Sequence, residues 1–248
     1  DHVVTIHAVD DDDQHQPRTP FLVMECIVGQ SLQQKIDRVG ALGLTEILRI
    51  GMQIASGLAN AHKQGLVHRD NKPANIMMEN GIERVKITDF GLARAVDEIE
   101  MTQSGVISGT PHYMSPEQAQ SQPVDQRSDL GSLGSVFYTM CTGRRAFRAK
   151  NAMAVMFRVC KDTPRSILEL NPNLPNWLIE LVKKLMSKDV EDRFQTAAEV
   201  ADFLSQHLTR LQEPRLEKHG DVLPSRNPTG EPGGVSPRTN VDQYVRGL

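Results

Sequence analysis

The chain has 248 residues, 39% of them hydrophobic, and carries 28 Lys and Arg against 31 Asp and Glu for a formal net charge of -3. That is enough apolar material for one large packed domain or two small ones, and the balance excludes a polybasic nucleic-acid stripe or an anchor to an anionic membrane surface. The three cysteines, Cys26, Cys141 and Cys160, are far apart and read as reduced small hydrophobes, and no apolar run reaches the roughly 20 residues of a membrane span, so a cytoplasmic chain is expected, with or without a membrane-anchored parent.

Residues 3–9 and 21–24 are rich in β-branched residues and flank a polar stretch holding Asp10 to Asp13, Pro17 and Pro20, which predicts a hairpin with a long connection. The four aspartates lack the D-x-D-x-D-G spacing of a calcium loop and read as a solvated turn. From Thr45 to Lys63, Ile47, Ile50, Ile54, Leu58 and Ala61 recur at steps of three and four, with Gly65 placed to end the helix. Residues 66–68 and 76–78 read as short strands around a polar loop, and Asn80-Gly81 opens a tight turn into a strand over 85–88. Three further helices are expected around Leu130 to Met140, Trp177 to Met186 and Ala197 to Leu208. Beyond Leu211, Pro214, Pro224, Pro228, Pro232 and Pro237 alternate with Gly and charge, so residues 212–248 read as a disordered tail or linker. There is no internal repeat, and the eight histidines and three cysteines show no zinc spacing.

The polar loop reads His68-Arg69-Asp70-Asn71-Lys72-Pro73-Ala74-Asn75, an H-R-D-x-x-x-x-N pattern, and Asp89-Phe90-Gly91 follows the next strand. Singly, either is as compatible with a surface turn. Their order, with the loop after a long helix and Asp89 at the far end of the hairpin, is the specific signal. In this the chain resembles the bacterial serine/threonine protein kinases of eukaryotic type.

The resemblance implies an α+β, protein kinase-like fold: a remnant of the small-lobe sheet and hinge over 1–30, a mainly helical large lobe over 31–211, and the tail over 212–248. It implies ATP and Mg2+ as cofactors and protein Ser/Thr hydroxyls as substrates, with a second copy of the chain as a partner for autophosphorylation. In it Asp70 would accept the substrate proton, Lys72 would stabilise the γ-phosphate, Asn75 and Asp89 would hold magnesium, and Thr110 would bond to Asp70 and Lys72. Lysine two residues after the aspartate is the serine/threonine pattern of that family. Residues 109–117 resemble its substrate-docking loop, ending in Ser115-Pro116-Glu117, with Glu117 paired to Arg193 and Asp129 holding the catalytic-loop backbone. Thr102 and Ser104 lie where an activation loop would be phosphorylated, opposite Arg69. Residues 22–29 resemble the hinge strand, with Met24 as gatekeeper, the Glu25 carbonyl and Ile27 amide meeting adenine, and Ser31 near the ribose.

No G-x-G-x-x-G-x-V loop, V-A-I-K lysine or helix glutamate occurs before the hinge. The expectation is either an upstream segment or a truncated product with impaired phosphoryl transfer, in which residues 3–9 would expose an unpaired edge. The alternative function is a pseudokinase-like regulatory module that binds a partner; a small-molecule phosphotransferase is disfavoured by the docking loop. Asn71, Gly131 and Val190 depart from the residues usual in the family. Gly131 is expected to cost its helix about 1 kcal/mol relative to alanine, a sign of relaxed packing.

Overall fold

The computed structural model describes residues 2–11, 20–80, 84–90 and 111–212, all within one unit, Asp1–Glu213. Strand β1 (Ile6–Asp11) pairs antiparallel with β2 (Pro20–Met24), with Val9 opposite Leu22 and an irregularity between Ile6 and Ala8. A second antiparallel sheet has the order β3-β4-β5, from β3 (Gly29–Ser31), β4 (Ile76–Glu79) and β5 (Val85–Ile87). The strand expected over 3–9 therefore begins later, because the residues before it have another partner. Val3 bridges Ile87 in parallel, the Val4 amide donates to the Ile87 carbonyl at 2.9 Å, and the Ile87 amide donates to the His2 carbonyl at 2.8 Å. The start of the segment expected to leave an edge open is thus paired with the outer strand of the second sheet. No strand forms at 66–68, where the amide of His68 is drawn to a side chain instead.

Helix α1 (Leu32–Val39) starts at Ser31, whose hydroxyl accepts from the Gln34 amide while the Gln34 side chain accepts from the Ser31 amide, a reciprocal cap. Helix α2 (Leu44–Lys63) buries Ile47, Ile50, Ile54 and Leu58 on the face read from the spacing. After two short elements, a 3-10 turn (Pro111–Tyr113) and α3 (Pro116–Ala119), comes α4 (Gln126–Thr142), in which every residue from Ser128 to Thr142 is buried. A helix enclosed on all sides shows no apolar stripe. Two of its hydroxyls are satisfied within the helix, Thr139 donating to the Ser135 carbonyl at 2.9 Å and Thr142 to that of Tyr138 at 2.8 Å.

Around this axis pack α5 (Ala152–Lys161), α6 (Ile167–Leu170), α7 (Asn176–Leu185) and α8 (Ala197–Gln212), with α7 against α4 and α8 along α2. A continuous core runs through Leu48, Ile54, Leu58, Leu133, Phe137, Leu178 and Leu204. Cys141 belongs to it, and burial pushes its thiol up to about 12. No helix among the described residues is long and apolar enough to cross a membrane. Gln212 closes α8, and the tail proposed after it lies outside the described residues, as does the connection over 12–19.

Two departures noted in the sequence acquire physical content. Asn71 is 2% exposed, and both polar atoms of its amide lack a partner among the described residues, so a buried polar group replaces an aliphatic one. At Gly131, an added Cβ would lie 2.9 Å from Nη1 of Arg193 and 3.2 Å from Cβ of Ser115. That position is not relaxed packing: two other elements close on the helix there, and close approach outweighs propensity. Gly131→Ala is therefore expected to destabilise the chain by about 1–3 kcal/mol in urea denaturation, where propensity alone would stabilise it by about 1 kcal/mol.

Candidate active site

The loop between α2 and β4 is held by one carboxylate from the buried helix. Asp129, 0% exposed, accepts the His68 amide on Oδ2 and the Arg69 amide on Oδ1, both at 2.8 Å. Its Oδ2 also accepts from Nε2 of His62, at 2.8 Å, on the last turn of α2. Arg69 has φ of 68°, a conformation that costs a non-glycine residue of order 1–3 kcal/mol and persists only where its surroundings enforce it. The two adjacent amides on Asp129 are that enforcement.

His68 itself fixes the next step. Its Nε2 donates to the Thr88 carbonyl at 2.8 Å and its Nδ1 accepts the Asp70 amide at 3.1 Å, a pairing that sets the Nε2–H tautomer. Phe90 packs edge-on against its ring, centroids 4.4 Å apart. From there the loop presents Asp70, whose side chain is 38% exposed and bonded at Oδ2 by Nζ of Lys72 at 2.6 Å. Asn75, at the end of the Pro73–Asn75 3-10 turn, donates through Nδ2 to both the Asp70 carbonyl and Oδ2, each at 3.0 Å. Its amide nitrogen is thus committed, and its amide oxygen is left as a hard donor. The Thr88 amide donates to the Asn75 carbonyl at 2.9 Å and its hydroxyl to the same oxygen at 3.2 Å, which brings the neighbouring Asp89, at φ 61°, beside Asn75. The structure thereby assembles Asp70, Lys72, Asn75 and Asp89 at one place. Two of the three positive-φ non-glycine residues described, Arg69 and Asp89, flank it.

Beneath the loop, Glu117 and Arg193 form a two-pronged pair, Nη1 to Oε1 at 2.7 Å and Nη2 to Oε2 at 2.8 Å, with side chains 6% and 0% exposed. Burial alone would raise the Glu117 carboxyl, but the Arg193 hydrogen bonds outweigh it and hold the group down at about 2. Arg193 also donates to the carbonyls of Ser187 and Arg127, so its guanidinium joins three segments. Gln118, next to Glu117, donates to the Arg69 carbonyl at 2.5 Å and ties α3 to the loop over 68–75.

At the hinge, the Glu25 amide donates to the Thr5 carbonyl at 3.0 Å. The Glu25 carboxylate is bonded to Nζ of Lys86 and accepts the Thr5 amide at 3.2 Å; the Lys86 bond holds its carboxyl below the usual range. No hydrogen bond among the described residues occupies the Glu25 carbonyl or the Ile27 amide. Met24 ends β2 opposite Ile6, and the Ser31 hydroxyl serves the α1 cap. Thr102, Ser104 and Thr110 lie outside the described residues. Sequence reasoning missed His62, Gln118 and Lys86. The last two left a trace: Ser115 and Gln118 have capping-box spacing, and Lys86 is a cation in a strand that is otherwise apolar.

Residues 1–205 match the family model described as protein kinase domain. Among curated relatives, the chain is 40% identical over 185 residues to the "Probable serine/threonine-protein kinase PknB" of Bifidobacterium longum, covering 73% of this chain and 26% of that protein. It is 36% identical over 222 residues to serine/threonine-protein kinase PknA of Mycobacterium tuberculosis, covering 88% of this chain and 51% of that one. The chain thus spans between about a quarter and a half of the length of these relatives. Among solved structures, the PknI kinase domain of Mycobacterium tuberculosis superposes with a TM-score of 0.63 at 24% identity, over 83% of this chain and 71% of that one. Rad53 1-466 in complex with AMP-PNP superposes at 0.66 and 24% identity, over 81% of this chain and 49% of that one. At such identity these two speak to the fold alone.

Because the folded Glu117 carboxyl sits at about 2 against an ordinary 4.5, its contribution to stability is complete above the ordinary value and is lost as pH falls toward 2. Urea denaturation from pH 7 down to 3 should show that loss in the parent chain. Glu117→Gln should flatten this part of the acid slope and, at pH 7, lower stability by about 3–5 kcal/mol, the cost of breaking a buried pair from one side. An unchanged acid slope in the variant would remove the pair as its cause.

Proposed function

The chain belongs to the protein kinase domain family, and on that premise we propose that it transfers the γ-phosphoryl group of ATP to serine or threonine hydroxyls of proteins. The observation that carries the reading is the convergence of Asp70, Lys72 and Asn75, with the Lys72 ammonium 2.6 Å from the Asp70 carboxylate and the Asn75 amide bonded to the same oxygen. Phosphoryl transfer asks the protein for positioning and charge neutralisation more than for covalent help.

In this reading the half-exposed Asp70 carboxylate orients the substrate hydroxyl and takes its proton as the new oxygen–phosphorus bond forms and the bond to the leaving ADP oxygen breaks. Lys72 screens the negative charge on the moving phosphoryl group. The amide oxygen of Asn75, which has no partner among the described residues, and the carboxylate of Asp89 suit a magnesium ion, which takes one or two protein oxygens and completes its shell with phosphate and water. When bound, that ion neutralises charge on the β- and γ-phosphates. The open Glu25 carbonyl and Ile27 amide suit the adenine edge, with Met24 behind it. Ser31 near the ribose is compatible with its capping role, since a hydroxyl that accepts can still donate.

We place Thr102 and Ser104 as phosphorylation sites facing Arg69, whose guanidinium has no partner among the described residues, and Thr110 as a further contact to Asp70. A second copy of the chain is the proposed partner for autophosphorylation, and the cytoplasm the proposed compartment.

The native gene product carrying this chain should label an acidic or a basic generic protein on serine or threonine from radiolabelled Mg-ATP. Asp70→Asn should lower that rate by about 10^2–10^4-fold while the variant still unfolds cooperatively in urea. Equal labelling by parent and variant would sink the assignment of Asp70.

A further inference from the structure

Immediately after α4, the segment Gly143-Arg144-Arg145-Ala146-Phe147-Arg148 places three arginines within five residues, in a chain whose net charge is -3. All three are exposed and line two adjoining concavities. One, of about 320 Å3, is walled by Tyr113 and by Ile36 and Asp37 of α1; the other, of about 270 Å3, adds Arg158 and Arg165. The bland reading is a helix C-terminus attracting cations. That accounts for Arg144, beside the capping Gly143, but not for Arg148, beyond the last turn.

The outer pair has local partners, Arg158 with Asp162 at 3.7 Å and Arg165 with Glu169 at 2.9 Å. The inner three do not: among the described residues no carboxylate lies within ion-pair distance of Arg144, Arg145 or Arg148. The Arg145 guanidinium is hydrogen-bonded to Nε2 of His112, at 3.5 Å, and Nδ1 of that histidine is buried without a partner among the described residues. Protonation of His112 is disfavoured by burial first and then by the charges of Arg145 and Arg148, so the positive field reaches into the 111–113 turn. That turn leads directly into α3, whose Gln118 is bonded to the Arg69 carbonyl of the catalytic loop. The patch therefore borders the turn that opens the segment leading to Gln118.

We propose that Arg144, Arg145 and Arg148 form a specificity surface for an acidic segment of the protein substrate, one that carries Asp, Glu or phosphorylated residues flanking the Ser or Thr to be modified. The inference rests on the kinase reading and deepens it. Three guanidiniums with no carboxylate partner among the described residues, in a concave wall, suit the carboxylates or phosphates of an extended chain. Its side-by-side cavities fit a peptide better than the flat face of a membrane.

The test uses the native gene product and two fluorescein-labelled peptides with one central serine, flanked on both sides by glutamate or, in the control, by glutamine. With Mg-ATP, the acidic peptide should show a KM about tenfold below that of the control, as expected for a few solvated charge pairs. The combined Arg144→Ala, Arg145→Ala, Arg148→Ala variant should raise the acidic-peptide KM about tenfold, with kcat and the control peptide unaffected. Charge reversal of the three to glutamate should shift the preference to a lysine-flanked peptide. Equal KM values for the two peptides in the parent protein, with phosphorylation intact, overturn the inference and leave the kinase reading standing. If neither peptide is phosphorylated, anisotropy of the same two peptides still decides: acidic binding lost in the triple-alanine variant supports the surface, and equal binding of both peptides rejects it. Binding to vesicles of anionic lipid that the acidic peptide fails to displace would also overturn it.

Discussion

A single buried carboxylate sets the geometry on which the candidate site depends. Asp129 spends both oxygens on consecutive backbone amides, His68 and Arg69, and so holds Arg69 at a φ that an unconstrained chain would leave. With Arg69 turned that way, His68 points to Thr88, Asp70 points outward to Lys72, and Asn75 closes behind them. Burying a charge is costly unless its oxygens are hydrogen-bonded. Three donors, the third from His62, satisfy that condition, and they explain why a carboxylate persists within a fully buried helix.

The same helix carries a second fastening a few residues away. Arg193 meets Glu117 in a paired geometry and comes so close to α4 that a Cβ at 131 would displace its guanidinium. α3 is thereby anchored below, while Gln118 reaches up to the Arg69 carbonyl. The loop is fastened at two kinds of backbone group, by Asp129 through its amides and by Gln118 through a carbonyl. Rigid support of this kind is what positioning chemistry requires, since small displacements of reacting groups cost rate steeply.

Much of this was legible in the sequence where residue type and spacing both carry meaning. The 3–4 spacing of Ile47, Ile50, Ile54 and Leu58 located α2, and His68, Asp70, Asn75 and Asp89 marked the loop and strand end that the structure brings together. What failed did so for reasons that are not local. The β-branched run at 3–9 reads as one strand, yet Val3 and Val4 pair with β5, a partner more than 80 residues away in sequence. Residues 66–68 have strand propensity, but the pull of Asp129 on the His68 amide decides their path. Gly131 looked like a weakness because helix propensity cannot register a guanidinium arriving from residue 193. His62 gave no signal at all, since only the fold places it beside Asp129.

The most direct test is amide hydrogen exchange of the parent chain and of Asp129→Asn, resolved at His68 and Arg69 and compared with α4. The account predicts that protection at these two amides falls by at least about tenfold, the loss of about 1.4 kcal/mol of local stability, while amides in the middle of α4 keep theirs. Unchanged protection at His68 and Arg69 would contradict it, and would mean that the turn at Arg69 is held by something other than the carboxylate of Asp129.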